Sequence, residues 1–137
     1  MSGLKGGCLC GKVKYELQGE PLMTAICHCR DCQRQTGTSF SIVIGVAPEN
    51  VKIEGVPEIY TTTGETGSEV HRHFCSACGS PILSDATASF GVYFVKAGTL
   101  EDTSTLRPEL EIFCDEAQQW CNLKGDWKKA ARNPEAA

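Results

Sequence analysis

The sequence predicts an all-β domain assembled from many short strands. Three observations carry that expectation. Apolar residues recur with period two along most of the chain, glycine and proline interrupt those runs at short intervals, and helical periodicity is weak. In the first run, Val13, Tyr15 and Leu17 alternate with Lys12, Lys14 and Glu16, as a half-buried strand requires. Phe40, Ile42, Ile44 and Val46 form a second run. Val51 and Ile53, then Ile59 to Thr63, continue the pattern. Val70 to Phe74 and Ile82 to Ser84 flank a cysteine pair. Phe90–Ala97 reads as a buried strand and Leu110–Phe113 as another. Breaks fall at Gly19–Pro21, Gly55–Pro57, Gly64–Gly67 and Gly79–Pro81. Arg30–Gln35 and Asp115–Trp120 are each expected to make one or two helical turns. Trp127–Ala137 is read as a short terminal helix or a frayed tail.

Composition limits the function classes. A chain of 137 residues, 41% hydrophobic and 22% charged, fits one globular domain. The expected organisation is a single domain over residues 1–137, with a core at about 6–121 and a tail at 122–137. Thirteen basic against seventeen acidic residues give a net charge of −4, which argues against a nucleic-acid partner held by a general electrostatic field. Met1–Cys10 has no apolar signal region, and no run of about 18 apolar residues exists to span a membrane. A cytoplasmic protein is therefore expected. In a reducing compartment, clustered cysteines read as metal ligands or redox groups before they read as disulfides.

The nine cysteines are the anomaly. Cys8 and Cys10 form a C-x-C, Cys27, Cys29 and Cys32 a C-x-C-x-x-C, and Cys75 and Cys78 a C-x-x-C. Seven ligands divide into a closed site of four and an open site of three, the usual distinction between structural and catalytic zinc. Cys10 and Cys78 are each followed by glycine, Gly11 and Gly79, which permits the tight knuckle turn that aims backbone N–H groups at sulfur. That feature pairs Cys8 and Cys10 with Cys75 and Cys78. The remaining trio, Cys27, Cys29 and Cys32, would hold a metal with one position outward, suited to an exchangeable thiol that loses its proton on coordination. Three other readings stand beside this one. The trio's site is closed by Cys114, Cys121 or a histidine, it forms a redox disulfide, or the domain is a zinc-stabilised binding module without catalysis. Cys114 and Cys121 themselves read as plain thiols. His71 and His73 read as surface or supporting residues. His28, between two ligands, reads as an orienting or exposed side chain.

The segments GGCLCGKVKYEL, CHCRDCQRQTGTSF and HFCSACGSPIL together resemble the glutathione-dependent formaldehyde-activating family, which includes S-(hydroxymethyl)glutathione synthase-like and centromere protein V-like proteins. The likeness runs from about Gly6 to Trp120. It implies an Mss4-like, β-tent fold with little helix, stapled by zinc. It implies two Zn²⁺ per chain, a structural one on Cys8, Cys10, Cys75 and Cys78 and a catalytic one on Cys27, Cys29 and Cys32, the second less firmly held. The implied activity is carbon–sulfur lyase chemistry, the joining of glutathione to formaldehyde. On that reading Arg30 and Arg34 are candidates for the glutathione carboxylates. Asp31 or His28 is a candidate proton shuttle, and Thr38 and Ser39 are candidate pocket hydroxyls.

Overall fold

A computed structural model describes residues 3–133. Eleven strands are described: β1 (Leu4–Gly7), β2 (Lys14–Leu17), β3 (Met23–Cys27), β4 (Ser41–Val46), β5 (Val51–Glu54), β6 (Glu58–Thr63), β7 (Glu69–Phe74), β8 (Pro81–Ala86), β9 (Val92–Lys96), β10 (Leu110–Ile112) and β11 (Lys128–Lys129). Two short helices, α1 (Arg30–Thr36) and α2 (Thr87–Phe90), complete the described α-helical structure. The fold is all-β, as the alternation predicts.

The strands form two sheets. A small one has the order β1-β2-β5. A large one has the order β11-β10-β3-β4-β9-β8-β7-β6. Most pairs are antiparallel, but β10 runs parallel to both β3 and β11. Tyr15 and Leu17 on the small sheet, with Val13 just before β2, pack with Ile44, Val46, Leu83 and Val95 of the large one, and this is the main core. The Tyr15 hydroxyl also hydrogen-bonds Thr99 Oγ1 at 2.6 Å across the two layers.

The opposite face of the large sheet positions the site. Successive side chains of a strand point to opposite faces, so Cys27, Ala25 and Met23 share a face away from the core. Register carries that face sideways: Met23 opposes Gly45, Gly45 opposes Phe94, Phe94 opposes Ser84, and Ser84 opposes Arg72. The next row on this face runs from Ala25 through Val43 to Lys96, and the one beyond it places Cys27 opposite Ser41. A Cβ on Gly45 would stand 2.9 Å from Met23 Sδ, so glycine is what lets the Met23 side chain lie across β4.

Several expectations are corrected. Trp127–Ala137 contains no helix among its described residues. Lys128–Lys129 instead adds an edge strand to β10, and residues 134–137 lie outside the described range. Asp115–Trp120 makes only part of a 3₁₀ turn at Cys114–Glu116. Phe90–Ala97 divides into the end of α2, a glycine and β9, because Gly91 ends the helix at φ 70°. Strands β1 and β3 had no clear period-two signal, and pairing makes them strands.

Candidate metal centres and the adjoining cavity

The first centre joins the turn after β1 to the turn between β7 and β8. The Sγ atoms of Cys8, Cys10, Cys75 and Cys78 all lie within 4.8 Å of one another. Cys8 and Cys10 sulfurs are 3.6 Å apart, and Cys10 and Cys75 sulfurs 3.7 Å. A tetrahedron with metal–sulfur bonds of ~2.3 Å has edges of about 3.8 Å, so four thiolates spaced this way fit one ion. Gly11 and Gly79 take φ of 81° and 78°, the left-handed conformation that the knuckle turns need. The Val13 N–H points at Cys8 Sγ at 3.3 Å. Hydrogen bonds from the Ser80 hydroxyl and backbone pull the Cys78 thiol down to about 5, toward the thiolate a metal prefers.

The second centre is local. Cys27 ends β3, Cys29 caps α1, and Cys32 lies in the first turn of that helix. The Cys32 N–H donates to Cys29 Sγ at 3.2 Å, so the ligand loop and the helix start are one structure. All three sulfurs lie within 4.8 Å of one another. Among the described residues no fourth His, Cys, Asp or Glu joins them. Cys114 and Cys121, the predicted alternative caps, stand elsewhere. The Cys114 thiol contacts the Glu111 carbonyl, and Cys121 is buried.

Charge around the trio is arranged for thiolates. Lys96 is 5% exposed and donates from Nζ to Ser41 Oγ at 3.0 Å. Burial pushes its ammonium below the usual lysine range, against the pull of the nearby Cys32 sulfur. Arg72, also buried, is fixed by bonds to Thr62 Oγ1 and Gln35 Oε1 and faces Asp31 at 3.8 Å. Hydrogen bonds from the Cys27 and Cys29 thiols, with the charges of Lys96 and Arg72, outweigh burial and hold Cys32 at about 3. The sulfurs of Cys29 and Cys32, together with burial, push Cys27 far up. One negative charge is thus favoured on the free trio. Binding a cation there would let all three thiols ionise.

A layer behind the trio fixes its loop. His28 is 0% exposed, and its Nε2 lies 2.7 Å from Glu111 Oε2 on β10. Glu111 also accepts from Trp127 Nε1 at 2.9 Å. Burial pushes its carboxyl up, but the bonds from Trp127 and His28 and the charge of Lys129 bring it below the usual range. Buried Gln33 donates to the His28 and Glu116 carbonyls. Nothing in the sequence singled out Glu111, Gln33, Lys96 or Arg72, because each is brought to the trio by tertiary contact.

The trio opens into a cavity of about 480 Å³. Arg30, Asp31, Arg72 and Lys96 contribute charged groups to its lining, and Arg132 and Glu65 stand at its margin as a salt-bridged pair. Phe113, on the same lining, holds a left-handed φ of 54°, with the Arg132 guanidinium 4.8 Å above its ring. Arg34, Thr38 and Ser39 do not reach this cavity. They border a separate depression of about 340 Å³, shared with Arg30. His28 is buried and held against Glu111, which corrects its reading as an exposed residue and agrees with its reading as an orienting one. His71 and His73 lie on β7, where His71 Nδ1 meets Thr61 Oγ1 at 2.8 Å. Among the described residues no helix is long and apolar enough to cross a membrane.

Two comparisons with known proteins agree with this arrangement. The crystal structure of a Rhodobacter sphaeroides protein, a structural-genomics target, is similar over 76% of this chain and 91% of that one, at 24% identity and a TM-score of 0.56, and it shares the fold. A family model described as "Glutathione-dependent formaldehyde-activating enzyme" matches residues 3–116, a span holding both cysteine centres and the sheet between them. The chain therefore belongs to the glutathione-dependent formaldehyde-activating enzyme family.

Proposed function

We propose that this protein joins a small thiol, glutathione, to formaldehyde or a similar electrophile, and in reverse acts as a carbon–sulfur lyase. The observation that carries this reading is the trio of Cys27, Cys29 and Cys32, three clustered sulfurs on the lining of a cavity with no fourth such ligand beside them among the described residues. Cys27, Cys29 and Cys32 would hold a zinc ion, which would supply Lewis-acid chemistry that lowers the pKa of a thiol.

The chain's own residues do the rest. Lys96 and Arg72 offset the negative charge that three thiolates and a substrate thiolate bring into a partly buried site. Arg30, exposed on the lining, presents a cation to a glutathione carboxylate. Asp31, on the lining beside Arg72, is assigned the role of accepting the thiol proton and returning it to the new hydroxyl. Holding thiol and carbonyl in one cavity supplies much of the rate gain, because a bimolecular encounter becomes a bound pair. Cys8, Cys10, Cys75 and Cys78 would hold a second zinc, which would tie the two sheets together.

Metal analysis with a glutathione titration tests the proposal. Two zinc ions per chain, and faster exchange between glutathione and S-(hydroxymethyl)glutathione by NMR, support it. One zinc per chain and an exchange rate unchanged by the protein point to a binding module.

A further inference from the structure

The cavity is far larger than formaldehyde needs, and most of its floor is apolar. Beyond the trio, the exposed face of the large sheet continues through Met23, Phe94, Val92, Ala86 and Val70. Register sets these side by side: Met23 and Phe94 flank Gly45, Val92 opposes Ala86, and all point to the face that carries Cys27. Phe90 packs edge-on against Phe94, with ring centroids 6.1 Å apart. At the mouth, Leu22 and Phe90 remain 59% and 47% exposed. The lining cations border this floor: Arg30 on α1, Lys96 and Arg72 two residues along their strands from Phe94 and Val70, and Arg132 at the margin. A cavity that met only glutathione and a one-carbon aldehyde would leave the floor bare to water, an unfavourable exposure of clustered apolar surface.

The geometry points to a second specificity of the site: its carbonyl partner is an aldehyde with an apolar tail, aliphatic or aryl, that lies on the Met23–Phe94–Ala86 floor. This rests on the thiol-addition reading above and names its substrate class. Met23 stands four residues from Cys27 on one strand, about 13 Å away, so a tail of about six carbons covers half that distance and one of about ten most of it. The flexible thioether of Met23 suits tails of differing shape. The chemistry balances without another reactant. The thiol sulfur bonds to the carbonyl carbon, the C=O π pair moves to oxygen, and the thiol proton ends on that oxygen. Thiol plus aldehyde gives a hemithioacetal.

The test uses the zinc-loaded full chain. S-methylglutathione and S-hexylglutathione are compared as unreactive thioether mimics by calorimetric titration, and exchange of glutathione with formaldehyde and with hexanal is followed by NMR. Each buried methylene is worth roughly a fourfold gain in affinity. The S-hexyl compound is expected to bind at least tenfold more tightly, and hexanal exchange to be accelerated more than formaldehyde exchange. Ala86→Leu, which narrows the floor, is expected to lower the hexyl-to-methyl affinity ratio at least threefold. Equal binding of the two thioethers alongside accelerated formaldehyde exchange overturns this inference and leaves thiol addition standing. Acceleration of neither aldehyde overturns thiol addition and this inference together.

Discussion

His28 Nε2 and Glu111 Oε2 meet at 2.7 Å, joining the loop between two trio cysteines to a strand 83 residues further along the chain. The contact is buried at both ends, so it fixes the ring that separates Cys27 from Cys29. Replacing His28 with Ala leaves the Glu111 carboxylate with only Trp127 and Lys129 as partners and opens a cavity. The expected cost is about 3 kcal/mol of stability. Zinc affinity of the trio is expected to fall roughly tenfold, as for other supporting partners of metal ligands. Denaturant melts and chelator competition measure the two effects separately.

The two centres predict opposite outcomes for the same substitution. Cys78→Ser removes a ligand that ties β1 to the β7–β8 turn across some 70 residues. Structural zinc contributes on the order of 10 kcal/mol of folding energy, so this variant is expected to unfold or to aggregate. Cys29→Ser acts on a local loop and is expected to keep the circular dichroism spectrum of the wild type while losing one zinc and the exchange activity. A reversal of these two phenotypes would exchange the roles assigned to the centres.

Lys96 and Cys32 supply a charge test. The lysine helps hold the Cys32 thiol at about 3, so Lys96→Met is expected to raise that value. The pH at which metal-free Cys32 becomes half-alkylated by iodoacetamide should rise with it, since the thiolate is the reactive form. Methionine fills most of the buried stem, which limits the packing loss.

Arg30 and Arg34 lie on one helix but face different places. Arg30 borders the trio's cavity, whereas Arg34 borders only the neighbouring depression. Arg30→Ala is expected to raise KM for glutathione about tenfold, as loss of one charge-assisted hydrogen bond does. Arg34→Ala is expected to move it less than twofold. Equal effects would place the carboxylate in the shared depression.

Chelation completes the set. Mild treatment with a chelator is expected to strip the trio first, because three thiolates hold an ion less firmly than four. Exchange activity should vanish before the circular dichroism changes. Simultaneous loss of both would mean that one cooperative unit holds both ions.

Local chemistry made part of this molecule legible in one dimension. Period-two alternation declared β2, β4 and β7, and cysteine spacing with Gly11 and Gly79 grouped the seven sulfurs, because strand faces and knuckle turns are properties of a few consecutive residues. Strands β1 and β3 escaped notice, since Leu4–Gly7 and Met23–Cys27 become extended by pairing with neighbours. The strand-rich class and the two cysteine groups were thus readable from the order of residues alone. Only the tertiary structure decided that Glu111, Gln33, Lys96 and Arg72 stand at the trio, that Thr38 and Ser39 do not, and that an apolar floor extends beyond it. Those relations depend on sheet order and register, and register is settled by burial summed over all the strands at once.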